Sequence, residues 1–269
     1  MSDYHQIKAL SNSSLKLWKR SKAEYYLKHI QGVDFEDSKD AFRIGSLTHT
    51  LALEPERFEL DWELAEPPPN KTTGEPLKAG KVYSEWLATY QAMMKPGKQW
   101  CTPAEKAEAA LLVQGLNRHP VIASLLSHPD RLVEYAIRKT LCLKHEGSEF
   151  DVDMKGKLDL IIPSESIILD IKTAPSELPG DFVPDALSKK YHWQDYIYKT
   201  LAAAEFGKDF RFLFAVISKS TGRASLLELP QWAQDLGMKQ VDEEIGKYCK
   251  WIESKENPGD WRTEICKCD

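Results

Sequence analysis

The sequence predicts a mixed α/β protein: a central β-sheet of mixed strand direction flanked by helices, behind a helical N-terminal section. Two observations carry this reading. Up to about residue 130, apolar residues recur at helical spacing among Ala, Leu, Glu and Lys. From residue 131 the pattern becomes short alternating segments separated by turn residues. The order is then three strands, a helix, two strands and a helix, which one α/β core accommodates. We expect a single domain over 1–269, with 1–130 mainly helical and 131–256 the α/β core.

The elements follow in order. "SNSS" at 11–14 offers N-cap hydroxyls, and Leu15, Trp18, Tyr25, Tyr26 and Ile30 suit one helix over 11–30. Residues 31–40, "QGVDFEDSKD", read as a polar loop. "AFRIGSLTHTLALEPERF", 41–58, reads as a helix ending near Pro55. "EPPPNKTTGEP", 66–76, has four prolines and a glycine and is a loop. Helical patterns cover 79–94 and 103–128. Strands are expected at 131–145, at 148–162 after "HEG", and at 166–174 after "PSES". A helix is expected at 186–206, strands at 211–218 and 223–230 about "KSTG", and a last helix at 231–256.

Composition narrows the classes. The chain is 42% hydrophobic and 29% charged, as ordinary globular proteins are. No run of 18 apolar residues predicts a membrane span, and "MSDYHQIKALSNSS" lacks the apolar stretch of a signal peptide. Five scattered cysteines suit reduced thiols and a cytoplasmic protein. A net charge of −5 argues against a general polyanion binder. Locally, "KLWKRSK" gathers Lys16, Lys19, Arg20 and Lys22 around Trp18. It reads as a solvated helix face over a buried Trp or as a DNA-backbone contact.

The stretch with chemical content is "KGKLDLIIPSESIILDIKTA", 155–174. Asp159 and Asp170 sit among Leu and Ile, where unpaired charge is costly. The hairpin around "PSES" can bring them together, and two converging carboxylates repel unless a cation lies between them. Hard divalent ions such as Mg²⁺ or Mn²⁺ prefer oxygen ligands. Lys172, two residues after Asp170, falls on the same face. An ammonium there can orient water or steady phosphate charge. Ile171 faces the core, and its carbonyl is a candidate further ligand.

Asp159 with Asp170-Ile171-Lys172 resembles the PD-(D/E)XK nuclease signature. More of the chain resembles one branch of that superfamily, the RecE-type (exonuclease VIII-like) exonucleases of phages and prophages. "LSNSSLKLWKRSKAEYYLKHI" is similar to that family's opening helix, with "SKAEYY" where the family has "SPA-x-Y". "FRIGSLTHTLALEPERF" resembles its "G-x-x-x-H-x-x-x-L-E-P-x-x-F" helix and would make His49 the active-site histidine. "YHWQDYIYKTLA" resembles its "Y-x-x-Q-x-x-x-Y" helix, giving Gln194 and Tyr198, and "LVEYAI" its Glu-bearing strand, giving Glu134.

The resemblance implies a Mg²⁺-dependent exonuclease (Mn²⁺ substituting) that digests the 5′-ended strand of duplex DNA from its ends. It implies 3′ tails for a RecT-like annealing protein and a homo-oligomeric ring. Asp159, Asp170, Lys172, Gln194, His49, Glu134 and Tyr198 would be catalytic; Asp159, Asp170, the Ile171 carbonyl and His49 would hold the metal. Each has a plainer reading: His49 as a helix histidine, Gln194 as helix surface, Tyr198 as helix core, Glu134 as a cross-strand ion-pair partner. Alternatives to the activity are a structure-specific or single-strand nuclease of the Cas4 and RecB branches, or a non-catalytic nucleic-acid-binding module. Cys249, Cys266 and Cys268, after Cys101 or Cys142, lack the compact spacing of an iron–sulfur site, so no cluster is expected.

Overall fold

A computed structural model describes residues 9–33, 43–95, 97–145 and 147–254. The loop expected at 31–40 therefore falls largely outside the described residues, as do Cys266, Cys268 and the last two residues of the final helix.

The N-terminal section is helical, but its helices are shorter and more numerous than periodicity suggests. Helix α1 (Asn12–Arg20) starts in a reciprocal capping box: Ser14 N–H donates to Ser11 Oγ at 3.2 Å, and Ser11 N–H to Ser14 Oγ at 2.7 Å. The single helix expected over 11–30 is broken at Ser21, whose backbone is extended (φ −156°) and whose hydroxyl accepts from Glu24 N–H to open α2 (Lys22–Tyr25). A π-helical turn, Tyr26–Ile30, follows. The break is hidden in sequence because the apolar spacing runs on through it.

Helix α3 (Arg43–Leu53) stops just before Pro55, then a 3₁₀ turn (Pro55–Arg57) and a short α4 (Phe58–Asp61) continue the chain. Strands β1 (Trp62–Leu64) and β2 (Gln99–Cys101) form a small parallel pair that three-residue segments do not signal, with α5 (Lys81–Met93) between them. The helix expected over 103–128 divides into α6 (Pro103–Arg118) and α7 (Pro120–Leu126). Pro120 has no N–H for α6 to use, and His119 caps α7 by accepting from Ile122 N–H.

The sheet has five strands in the order β3 (Leu132–His145), β4 (Ser148–Ile162), β5 (Ile167–Ala174), β6 (Arg211–Ser218) and β7 (Ala224–Leu227). Only β5 and β6 are parallel, and the crossover between them carries α8 (Pro179–Ser188) and α9 (Tyr191–Phe206). The helix expected from 186 thus begins at 191, after Lys190 in left-handed backbone turns the chain out of α8. The last helix is α10 (Gln231–Ser254).

Helices cover both faces. Leu112, Leu116, Ile122 and Leu126 of α6 and α7 pack with Leu160, Leu169, Ile171 and Ile217 on one face. Phe182, Trp193, Ile197, Leu201 and Val241 of α8, α9 and α10 pack with Leu158, Ile168, Phe212 and Phe214 on the other. No helix among the described residues is long and apolar enough to cross a membrane.

One irregularity positions the site. Leu158 and Leu160 differ by two residues, so regular pleating would place both on one face. They lie in opposite cores. On the neighbouring strand, Val133 and Tyr135 are split in the same way. The ladder between β3 and β4 skips one step, Glu134 opposite Asp159, and Glu134 is left-handed with φ 50°. At this step β4 also leaves β5, because the β4–β5 register runs only from Ile162↔Ile167 to Leu160↔Leu169. The strand pair forks at Asp159.

Candidate active site

At the fork, side chains replace the missing ladder. Ile171 N–H donates to Asp159 Oδ2 at 3.0 Å, so the carboxylate takes the place of a β4 carbonyl. The Ile171 carbonyl accepts from His49 Nε2 of α3 at 2.7 Å, and His49 Nδ1 lies 3.3 Å from Asp159 Oδ2. Asp170, in fully buried β5 backbone, pairs with Lys172 through Oδ1 and accepts from Gln194 Nε2 of α9 at 2.5 Å through Oδ2. Five side chains from four elements, α3, β4, β5 and α9, therefore converge at one place: His49, Asp159, Asp170, Lys172 and Gln194.

The two acids differ. The Asp159 side chain is 14% exposed and the Asp170 side chain 1%. Burial pushes the Asp170 carboxyl above the usual carboxylate range, and Asp159 adds to the rise while Lys172 opposes it. Burial alone lowers the Lys172 ammonium, but the charges of Asp170 and Asp159 outweigh it and hold that ammonium above its ordinary value. The pocket thus holds protons tightly at both groups. The Asp170 and Asp159 charges that hold up Lys172 would also draw a cation.

The donors fit a hard divalent ion by their chemistry: two carboxylates, one carbonyl and one imidazole, with Asp170 Oδ1 buried and lacking a hydrogen bond of good geometry. They now bond to one another, and among the described residues no three His, Cys, Asp or Glu side chains stand at ligand distance from a common point.

The other expected residues lie further out. Glu134 ion-pairs with Lys157 across the skipped step, and its charge reaches Glu54 and Arg57 at the end of α3. Tyr198 does not accompany Gln194 to the carboxylates: its ring lies where a Cβ on Gly156 would touch it at 3.1 Å, and 6.1 Å from the Phe212 ring. Of the four cations of α1 and α2, Lys19 bonds buried Glu244 at 2.5 Å, Arg20 bonds Glu24 at 2.5 Å, and Lys22 lies 5.5 Å over the Trp18 ring. Lys16 donates to the Lys189 carbonyl at 2.8 Å and lies 5.6 Å from the Tyr191 ring.

Tyr191 stands three residues before Gln194 and was part of the motif that identified that glutamine. Its place beside Lys172, 4.7 Å from the ring centre, is a feature that one-turn helical spacing signals. Among the cysteines, Cys101, Cys142 and Cys249 are free, and burial pushes the Cys101 and Cys249 thiols up to about 11.

A mixed sheet bearing an Asp on one strand and Asp-x-Lys on the next, flanked by helices, is the core of the PD-(D/E)XK nuclease superfamily. Residues 11–269 match the family described as a PDDEXK-like domain of unknown function (DUF3799), and the chain belongs to that family. A solved protein from Eubacterium rectale, provisionally named an exonuclease, is similar in fold at 14% identity. Its TM-score is 0.63, and the likeness covers 100% of this chain and 93% of that one. A phage-related exonuclease from Haemophilus somnus 129PT is a more remote likeness, at 13% identity and a TM-score of 0.29, covering 82% of this chain and 91% of that one. Among curated proteins, none matches the sequence.

Proposed function

We propose that this nuclease-type domain is a Mg²⁺-dependent exonuclease of RecE type, hydrolysing duplex DNA from its ends, 5′ to 3′, and leaving 3′ single-stranded tails. The observation that supports hydrolysis is the convergence of Asp159, Asp170, Lys172, His49 and Gln194 at the β4–β5 fork. Polarity, the RecT-like annealing partner and a homo-oligomeric ring rest on the motif resemblance alone.

The roles follow from the contacts. Asp159, Asp170, the Ile171 carbonyl and His49 would hold the ion. When bound, a divalent ion supplies a more acidic water and neutralises phosphate charge. Asp159 fixes the Ile171 peptide by taking its N–H, and His49 fixes the same peptide from its carbonyl side. Gln194 holds one Asp170 oxygen and leaves the other facing Lys172. The Lys172 ammonium neutralises negative charge developing on the phosphate. Glu134, on the strand opposite Asp159, would act on the site only through its pair with Lys157. Tyr198 supports β4 from behind through Gly156.

The test is digestion of linear duplex labelled at either 5′ or 3′ ends, beside closed circular duplex and single strands, with Mg²⁺ and with EDTA. Release of the 5′ label, an intact circle and full inhibition by EDTA are expected. Cutting of the circle, or preference for single strands, would favour the Cas4 and RecB type of activity. No hydrolysis with Mg²⁺ or Mn²⁺, with DNA still bound, would favour a non-catalytic binding module.

A further inference from the structure

Three ammoniums gather around one ring beside the candidate active site. Lys172 lies 4.7 Å, Lys16 5.6 Å and Lys189 6.0 Å from the centre of Tyr191, whose ring stacks on Phe214 and Phe182. Lys172 has Asp170 as its counter-charge, and Lys189 has Asp185 at 2.7 Å. Among the described residues no carboxylate pairs with Lys16; it rests on the neutral Lys189 carbonyl. A fourth cation, Lys190, lies 4.1 Å over the Trp193 ring nearby.

We propose that Lys16 and Lys189, set on the Tyr191 ring next to Lys172, form a subsite for a backbone phosphate adjacent to the one that is cleaved. The proposal rests on the nuclease reading and deepens it. Like charges crowded around one ring repel, and an arriving phosphate removes that repulsion. Lys16 gains by exchanging a carbonyl for a phosphate oxygen, because opposite charges add a Coulomb attraction that a neutral acceptor lacks. Burial and the Lys172 charge push the Lys16 amine down to about 8, and a bound phosphate would restore its full charge. Lys172 and Gln194 take the Asp170 oxygens and Lys16 takes neither, so Lys16 is left for a phosphate beside the reacting one. This singles out Lys16 from its cluster: Lys19 and Arg20 already hold carboxylates, and Lys22 rests on Trp18.

The test uses the full chain and a short duplex in EDTA, so that binding is read without cleavage. Lys16→Ala should weaken binding whatever the DNA sequence and lower the slope of log Kd against log salt by about one, and Lys189→Ala, whose ammonium is shared with Asp185, should weaken it in the same direction but less. Lys16→Arg should keep most of the affinity, and Lys81→Ala, a charge control far along the chain, should change neither quantity. With Mg²⁺, the Lys16→Ala defect should fall mainly on KM. Duplexes with 5′-phosphate or 5′-hydroxyl ends separate an internal phosphate from a terminal one: equal loss on both is expected. A loss confined to the 5′-phosphorylated duplex, or competition by millimolar inorganic phosphate alone, would overturn the internal assignment. Unchanged affinity and salt slope in both alanine variants, with thermal melts showing them folded, would overturn the subsite while cleavage by the wild type leaves the nuclease reading standing. Absence of cleavage by the wild type would sink that reading instead.

Discussion

Below the fork β4 is an ordinary sheet strand; above it, it is not. From Leu160 to Ile162 it is laddered to β5, with β3 on the other side of Leu160 and Ile161, and its side chains, apart from Ile161, face the α6–α7 core. From Ser148 to Leu158 it keeps β3 but loses β5, and Met154 and Leu158 face the α9–α10 core instead. Below the fork β4 pairs with β5 backbone to backbone. Above it the Ile171 peptide of β5 turns to Asp159 and His49, and the released edge of β4 takes Leu10, whose N–H donates to the Asp153 carbonyl and whose carbonyl accepts from Lys155 N–H, both at 2.8 Å. The lesson is that polar chemistry sits where the ladder stops. There buried N–H and C=O groups need partners, and a carboxylate and an imidazole supply them.

The comparison can be broken most severely at its inner acid. Asp170→Asn should lower cleavage by about 10³-fold. Asn keeps the shape of Asp170 and one acceptor for Gln194 Nε2, so thermal melts should show the variant folded. The sign of the Asp170 shift can be checked by titration. A carboxyl raised by folding contributes stability below its unfolded range, and that contribution is lost as pH rises through the folded value of about 6. In metal-free protein, the unfolding free energy of the wild type should therefore fall relative to Asp170→Asn between about pH 4 and 6, as urea titrations at each pH would read.

His49→Ala should cost about 10- to 100-fold in metal affinity or activity, by calorimetry and cleavage assay, since in the proposed site the imidazole would both orient the Ile171 carbonyl and be a ligand itself. Gly237→Ala addresses the far wall. A Cβ there would stand 2.3 Å from the His192 carbonyl oxygen, so α10 and α9 must separate. A loss of about 1–3 kcal/mol in urea unfolding is expected, with weakened cleavage because α9 carries Gln194. The smallest effect is at Glu134. Glycine accepts left-handed backbone and alanine does not, so Glu134→Gly should be about 1 kcal/mol more stable than Glu134→Ala.

Much of the core was legible. The strands show as short apolar runs between turn residues, and "DIK" in a buried strand is conspicuous because charge there needs a reason. The fork was not legible. Simple alternation places Leu158 and Leu160 together, and nothing in "KLDLII" reports a change of face; the left-handed residue that accompanies it is a glutamate on the neighbouring strand. His49 and Gln194 were reached only through motif resemblance, because both come from helices distant in sequence and are placed by packing. The helices of the N-terminal section were over-joined for a related reason. Ser21 and His119 interrupt the backbone without interrupting the apolar spacing.

Gly156 lies three residues from Asp159 on the part of β4 that β5 has released. An added Cβ there would press Leu201 Cδ1 at 2.9 Å and the Tyr198 ring at 3.1 Å. With no ladder to β5 along this arm, Leu10 bonds its edge at Asp153 and Lys155 and α9 packs on its face at Gly156, and the same helix holds Asp170 through Gln194. One helix therefore touches the arm that leads to one acid and bonds the other directly. A shift of that helix would be felt at both carboxylates at once.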